Sequence, residues 1–163
     1  MNQQVYSHKD LVKIATKWAY GRHQVVITEK NGIYEIPDVL AFSYSFSTLI
    51  ECKTSKADFY RDKKKLSRWS EEHSLGNYRV YCCPKGLLKE NDIPEKWVLL
   101  EVYPSGYAKL NVGIYKYSSG VGNIWWHELT NFGHKAEKRM LFNKIVYRET
   151  KLEAEGKGRT DEN

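Results

Sequence analysis

The amino-acid sequence predicts a single α/β domain in which helices flank a mixed β-sheet, with the element order αβββαβ. A helix-periodic segment opens the chain, strand-like segments follow it, and a second helical segment precedes the next strand. Because a helical crossover can bring two strands side by side in the same direction, strands three and four are expected to pair in parallel. A length of 163 residues suits one hydrophobic core better than two half-sized cores.

The first half of the chain predicts one helix and three strands. Ser7 and Asp10 resemble a capping box, and apolar residues recur at helical spacing until Gly21, which indicates a helix over 8–20. The turn-bounded strands that follow are predicted over 25–28, 34–42 and 48–53. Their short connections favour an antiparallel meander.

The second half adds helices and further strands. Ser55 and Asp58 repeat the capping pattern, so a second helix is predicted from there to near Gly76, with Ser55 as its cap. The later strands are predicted over 78–83, 97–102 and 109–117. A last helix is predicted over 134–149. The domain is therefore expected to span 1–152, and the polar residues 153–163 are expected to form a disordered tail.

Composition places the chain among soluble, cytoplasmic proteins. No stretch approaches the ~20 apolar residues that a membrane span requires, and the N-terminus lacks the basic-then-apolar layout of a secretion signal. Three cysteines form an odd number, which favours reduced, buried thiols in a reducing compartment.

Much of the surplus positive charge, +6 for the whole chain, lies in one segment. Residues 53–68 contain seven basic side chains against two acidic ones. A concentrated positive surface attracts polyanions through counterion release, so nucleic acid is the expected partner. A solvated helix face remains the alternative interpretation.

Three charged residues in the predicted meander indicate catalytic chemistry. Asp38 lies in one predicted strand, and Glu51 and Lys53 lie two residues apart in the next, where their side chains share a face. Charges in a strand that is otherwise apolar are costly unless they are paired or bind a ligand. Two carboxylates and an ammonium suit a magnesium-dependent phosphodiesterase.

This pattern resembles the PD-(D/E)XK, or restriction-endonuclease-like, nuclease superfamily. Pro37-Asp38 precedes Glu51-Cys52-Lys53 by twelve intervening residues, after an N-terminal helix. The continuation ECKTSKADFYRDKKK, followed by YRVYCCP and IPEKWVLLEVYPSGYAKL, is similar to the small MmcB-like DNA-repair proteins of that superfamily.

The resemblance implies a metal-dependent deoxyribonuclease that uses Mg²⁺ or Mn²⁺. It implies that Asp38, Glu51 and the backbone carbonyl of Cys52 hold the metal and that Lys53 is the catalytic lysine. Some families add a carboxylate from the first helix, where this chain offers only Asp10. Strand alternation turns Glu35 away from Asp38, which leaves Glu29 as the better third acid.

Basic residues after the motif are expected to bind phosphates that flank the scissile bond. These candidates are Lys56, Arg61, Lys63, Lys64 and Arg68. DNA is favoured over RNA because no histidine accompanies Lys53 in the motif. The alternative function is a catalytically inactive nuclease-fold module that binds nucleic acid or a protein partner. The oligomeric state stays open, and a dimer is compatible with the sequence.

Overall fold

In the part of the chain that the structure describes, six strands form one mixed sheet and lie in space in the same order as along the chain. The structure, a computed structural model, describes residues 5–28, 36–65, 74–94, 96–112 and 131–157. Its elements are α1 (His8–Tyr20), β1 (Val25–Thr28), β2 (Val39–Phe42), β3 (Ser47–Cys52), α2 (Lys56–Lys63), β4 (Tyr78–Pro84), a 3₁₀ turn (Glu90–Asp92), β5 (Trp97–Val102), β6 (Ala108–Val112) and α3 (Asn131–Lys157).

Strand directions confirm the predicted meander and the predicted parallel pairing. β1, β2 and β3 pair antiparallel, whereas β3 pairs in parallel with β4. β4 also pairs in parallel with β5, and β6 closes the far edge antiparallel. The α/β class and the mixed sheet with flanking helices are therefore confirmed. β3 and β5 are buried along their whole length, as expected for strands covered on both faces.

Helices cover both faces of the sheet and form three layers. On one face α1 buries Leu11 and Ala15 against strand residues that include Ile50 and Val98. On the other face Phe59 of α2 and Met140 of α3 belong to a second hydrophobic cluster. The neighbouring cysteines Cys82 and Cys83 belong to opposite clusters, and all three cysteines are free and buried.

Both predicted helix caps are present. The side chain of Ser7 accepts a hydrogen bond from the Asp10 N–H, and the Asp10 carboxylate accepts one from the Ser7 N–H, which completes a capping box. Ser55 accepts the N–H of Asp58 at the start of α2. Ser55 therefore acts as a cap, as its spacing predicts.

Some element boundaries differ from the predicted ones. Residues 34 and 35 of the predicted strand lie outside the described residues, and β2 begins at Val39 rather than at 36, because Pro37 has no N–H to give to a ladder. α2 ends at Lys63 rather than continuing toward Gly76, because the chain turns at Lys64. Residues 66–73 of the predicted helix lie outside the described residues. The predicted strand over 109–117 is present as β6, and its residues 113–117 lie outside the described residues.

α3 is longer than its predicted range and exposes more apolar surface. It continues to Lys157, past the expected start of the polar tail at Glu153, and Lys151 supports this last part through an i,i+4 ion pair with Glu155 at 3.7 Å. Phe142 and Ile145 remain exposed. No helix of the described ranges is long and apolar enough to cross a membrane.

Gly76 joins α3 to the sheet at a point where a side chain does not fit. Its N–H donates to Glu137 Oε1 at 2.8 Å, and the same oxygen accepts from Ser47 Oγ at 2.8 Å. Gly76 has φ +79°, and a Cβ there would lie 2.6 Å from the Cβ of Leu49. Both the backbone conformation and the space therefore require glycine.

We predict that Gly76→Ala lowers the free energy of unfolding by about 3 kcal/mol or more, since it adds a backbone clash to the cost of a left-handed conformation. Gly106→Ala is the matched control, because Gly106 has φ +80° but open space around its Cβ. It should cost only about 1 kcal/mol. Urea unfolding of both variants measures the difference, and equal losses would contradict the prediction.

Candidate active site

The register of β2 and β3 brings the predicted acids opposite each other. Val39 pairs with Ile50 at the end of the antiparallel ladder. One step further along the same register places Asp38 across from Glu51, at the spacing of neighbouring cross-strand side chains. Lys53 follows β3 on the same face as Glu51.

Asp38 is tied to β3 and to α1. Its Oδ2 accepts the N–H of Cys52 at 2.7 Å, and its Oδ1 lies 3.3 Å from Nε2 of His8, the first residue of α1. The Asp38 side chain keeps 16% of its surface exposed, so it is the solvent-accessible acid of the group. These contacts fix the carboxylate at the rim of the sheet.

Lys53 is buried between two carboxylates. Its Nζ lies 3.2 Å from Glu51 Oε2 and 3.3 Å from Asp62 Oδ1. The side chains of Glu51 and Asp62 are 3% and 2% exposed, and that of Lys53 is 6% exposed. An ammonium this deeply buried is stable only with such partners.

Asp62 is a site residue that the motif analysis did not select. The hydroxyl of Tyr81 in β4 donates to Asp62 Oδ2 at 3.1 Å, and Lys65 Nζ lies 2.8 Å from Asp62 Oδ1. A signal was present in the sequence: Asp62 lies three residues after the buried Phe59 and therefore shares its helix face. That face packs on the sheet beside Lys53.

Negative charge exceeds positive charge around the Lys53 ammonium. Burial raises the pKa of Glu51 to about 8, Lys53 opposes this rise, and Asp38 and Asp62 add to it. Burial alone would lower the pKa of Lys53, but Glu51, Asp62 and Asp38 outweigh it and the pKa is raised. Lys53 therefore stays charged at neutral pH, while Glu51 retains a proton unless another cation arrives.

The donor set around Asp38 and Glu51 suits a hard divalent cation. Mg²⁺ is commonly held by one or two carboxylates and several waters, and a main-chain oxygen such as that of Cys52 completes such a set. Within the described ranges, no three His, Cys, Asp or Glu side chains form a group that could hold a metal ion. Asp10 is engaged in the cap of α1, and Glu29 and Glu35 lie outside the described residues.

His8 is a second neighbour of Asp38 that the motif spacing did not indicate. It belongs to the first helix, and its side chain is 45% exposed. Thirty residues separate it from Asp38 along the chain. Only the packing of α1 against the sheet brings the two together.

The predicted phosphate-binding residues fall into different environments. Lys56, Arg61 and Lys64 are exposed along α2 and its cap. Lys63 is partly buried, because its Nζ donates to the Asp92 carbonyl at 3.4 Å. Lys56 also lines a cavity of about 380 Å³ together with Thr54, which directly follows Lys53. Arg68 lies outside the described residues.

Comparisons with known proteins identify a solved structure of similar fold but no matching family. No protein-family model matches the chain. No curated protein matches it either. Among solved structures, the chain is similar to the SPO1766 protein of unknown function from Silicibacter pomeroyi, with a TM-score of 0.62 and 16% identity over 94% of each chain. This likeness shows a shared fold.

We predict that the metal-free protein loses stability as the pH rises from about 4.5 to about 8, because of Glu51. The carboxyl binds its proton more tightly in the folded state, with a pKa of about 8 against an ordinary value of 4.5. Its contribution is therefore fully present below the lower value and is lost as the pH rises through the upper one. The raised pKa of Lys53 acts only above this window.

Glu51→Gln should flatten this pH dependence, whereas the exposed Glu149→Gln should leave it unchanged. Urea unfolding in EDTA across the window measures both. A slope that is the same in wild type and Glu51→Gln would contradict the assignment of the proton to Glu51.

Proposed function

We propose that this protein is a metal-dependent nuclease of the PD-(D/E)XK type that hydrolyses phosphodiester bonds in DNA, in a DNA-repair setting. The observation that supports the proposal is the charged group at the rim of β2 and β3. There a buried ammonium, Lys53, lies between Glu51 and Asp62, with Asp38 alongside. Such an arrangement is expensive in a sheet core unless it serves a ligand.

Asp38, Glu51 and the Cys52 carbonyl would hold Mg²⁺ or Mn²⁺. When bound, such an ion supplies an activated water at neutral pH and neutralises charge on the phosphate. The surplus of carboxylates over ammonium in this group favours a divalent cation, since it would replace the proton that Glu51 otherwise retains. His8, against Asp38, occupies the place at which the first helix would contribute a group.

Lys53 would act as a positioned cation rather than as a base. Its pKa is raised by the surrounding carboxylates, so its ammonium persists at neutral pH. A charge that is already oriented stabilises negative charge on a phosphate without reorganisation cost. Asp62 would keep that ammonium in place if Glu51 bound a metal ion, because Asp62 Oδ1 lies 3.3 Å from Lys53 Nζ independently of Glu51.

The fold and the charge distribution support the proposal. The helix, antiparallel meander, helix and parallel strand occur in the order αβββαβ that the sequence predicts. Exposed Lys56, Arg61 and Lys64 lie on the helix that directly follows the proposed catalytic lysine. They can hold the phosphate backbone without reading sequence.

A catalytically inactive module is the second candidate. It is favoured by the finding that, within the described ranges, no three His, Cys, Asp or Glu side chains form a group that could hold a metal ion. Such a module would bind DNA through α2 with or without a divalent cation. Binding and cleavage in parallel, each with Mn²⁺ and with EDTA, separate the two candidates.

We predict that the wild-type protein nicks or linearises supercoiled DNA in Mn²⁺ or Mg²⁺ and is silent in EDTA. Lys53→Ala should reduce cleavage by at least about 100-fold, the usual loss when one oriented charge is removed. Because Lys53 is buried between two acids, the milder Asp38→Asn should be tested as well. Agarose-gel assays measure cleavage, and circular dichroism checks the fold.

Lys65→Ala is the matched control, since Lys65 contacts the same Asp62 but is 58% exposed. It should cleave nearly as well as wild type. Full metal-dependent cleavage by folded Lys53→Ala would rule the mechanism out, whereas DNA binding without cleavage by the wild type would favour the inactive module.

Asp62 is predicted to be a positioning residue for Lys53. Asp62→Asn keeps the shape and the hydrogen bond from Tyr81 but weakens the hold on the ammonium, so kcat should fall about 10- to 100-fold with little change in KM. A parallel loss in DNA affinity, or an unchanged kcat, would contradict this role. Single-turnover cleavage of a labelled duplex separates the two constants.

A further inference from the structure

Three lysines repeat along the exposed face of α1. Lys9, Lys13 and Lys17 follow one another at four-residue intervals, and each is exposed. They line one groove of about 460 Å³ between α1 and the edge strand β1, where Thr28 forms part of the wall. We call these three residues the α1 lysine row.

Helix stability accounts for only part of the α1 lysine row, since Asp10 attracts Lys13 and Lys9 and the helix dipole favours Lys17. Like charges four residues apart destabilise a helix, and Lys9 stands at the positive end of the helix dipole, although Lys17 lies in the last turn, where the dipole favours a cation. Within the described part of the chain, none of the three forms an ion pair. Asp10, the acid of this helix, is held by Ser7 in the capping box. An external anion would relieve this repulsion.

The spacing of the row matches a phosphate backbone. Four helical residues rise about 6 Å, so the row extends about 12 Å along the helix axis. A nucleic-acid strand advances about 3.4 Å per phosphate along a duplex, so this length covers roughly three to four phosphates. The groove therefore offers regularly spaced cations over several nucleotides.

The row also leads to the candidate active site. α1 begins at His8, whose Nε2 lies 3.3 Å from Asp38 Oδ1, and Lys9 is the next residue. A strand that follows the row toward the N-terminus of α1 would arrive at the acids of β2 and β3. α2 and its basic residues lie on the other face of the sheet.

We propose that the α1 lysine row is a nucleic-acid backbone track that delivers a phosphodiester strand to the Asp38 end of the sheet. The choice of nucleic acid rests on the proposed function. A membrane surface fits less well, because a membrane-bound helix inserts its apolar face. That face of α1, with Leu11 and Ala15, is buried against the sheet.

The test is the salt dependence of DNA binding by the whole protein. Equilibrium binding of a labelled duplex in EDTA is measured across salt concentrations for wild type and for the triple variant Lys9→Gln, Lys13→Gln, Lys17→Gln. Each phosphate contact contributes about 0.9 to the slope of log K against log salt, so the slope should fall by roughly 2 to 3. Affinity near 0.1 M salt should fall roughly 10- to 100-fold.

Two control variants separate location from charge. The triple Lys→Arg variant at the same positions keeps the charges and should bind like wild type. A triple Gln variant of the exposed Lys135, Lys138 and Arg139 removes the same charge from α3, which packs on the opposite face of the sheet. Its slope should stay close to that of wild type.

The proposal is overturned if the α1 variant keeps the wild-type slope, or if both Gln triples weaken binding equally. It is also overturned if the row is needed for binding to anionic phosphatidylserine vesicles but not to DNA. These outcomes are independent of cleavage. If the wild type cleaves DNA but the α1 Gln variant binds DNA with the wild-type slope, only the track is refuted. If DNA binding depends on the α1 lysine row but the wild type does not cleave DNA, only the nuclease is refuted.

Discussion

The site depends on one buried ammonium. Lys53 is held within 3.3 Å of both Glu51 and Asp62 at a place where neither the cation nor the acids could remain charged alone. Because Glu51 is on β3 and Asp62 is on α2, the same contacts join the helix to the sheet. The proposed chemistry of the site and the docking of α2 therefore share the same contacts.

The surplus of carboxyl groups makes this arrangement favourable for binding a further cation. Two ammonium groups, Lys53 and the exposed Lys65, do not fully balance Asp38, Glu51 and Asp62, and burial raises the pKa of Glu51 so that it retains a proton. The proposed divalent cation would remove that imbalance, and the proposed α1 track would bring further phosphate charge to the accessible side at Asp38. Cation-rich helices on both faces of the sheet surround an acid-rich rim, as expected for a site that handles a polyanion.

α1 shows how one element serves several purposes. Its apolar side, with Leu11 and Ala15, covers the sheet, and its first residue His8 reaches Asp38. Its exposed side carries the lysine row. Because helical periodicity places these residues on different sides of the helix axis, one short segment contributes to the core, the candidate site and the surface.

Much of the architecture could be predicted from sequence because it follows from local rules. The caps at Ser7 and Ser55 and the parallel pairing of β3 and β4 all follow from short-range patterns. Glu51 and Lys53 could be paired in advance because strand geometry places residues two apart on one face.

Tertiary packing alone decided the rest of the site. His8 lies thirty residues from Asp38, and Asp62 and Tyr81 come from different elements, so no local periodicity links them to the acids. Spacing along the chain fixes which face a residue occupies, but only the docking of helices on the sheet fixes which residues from distant segments meet.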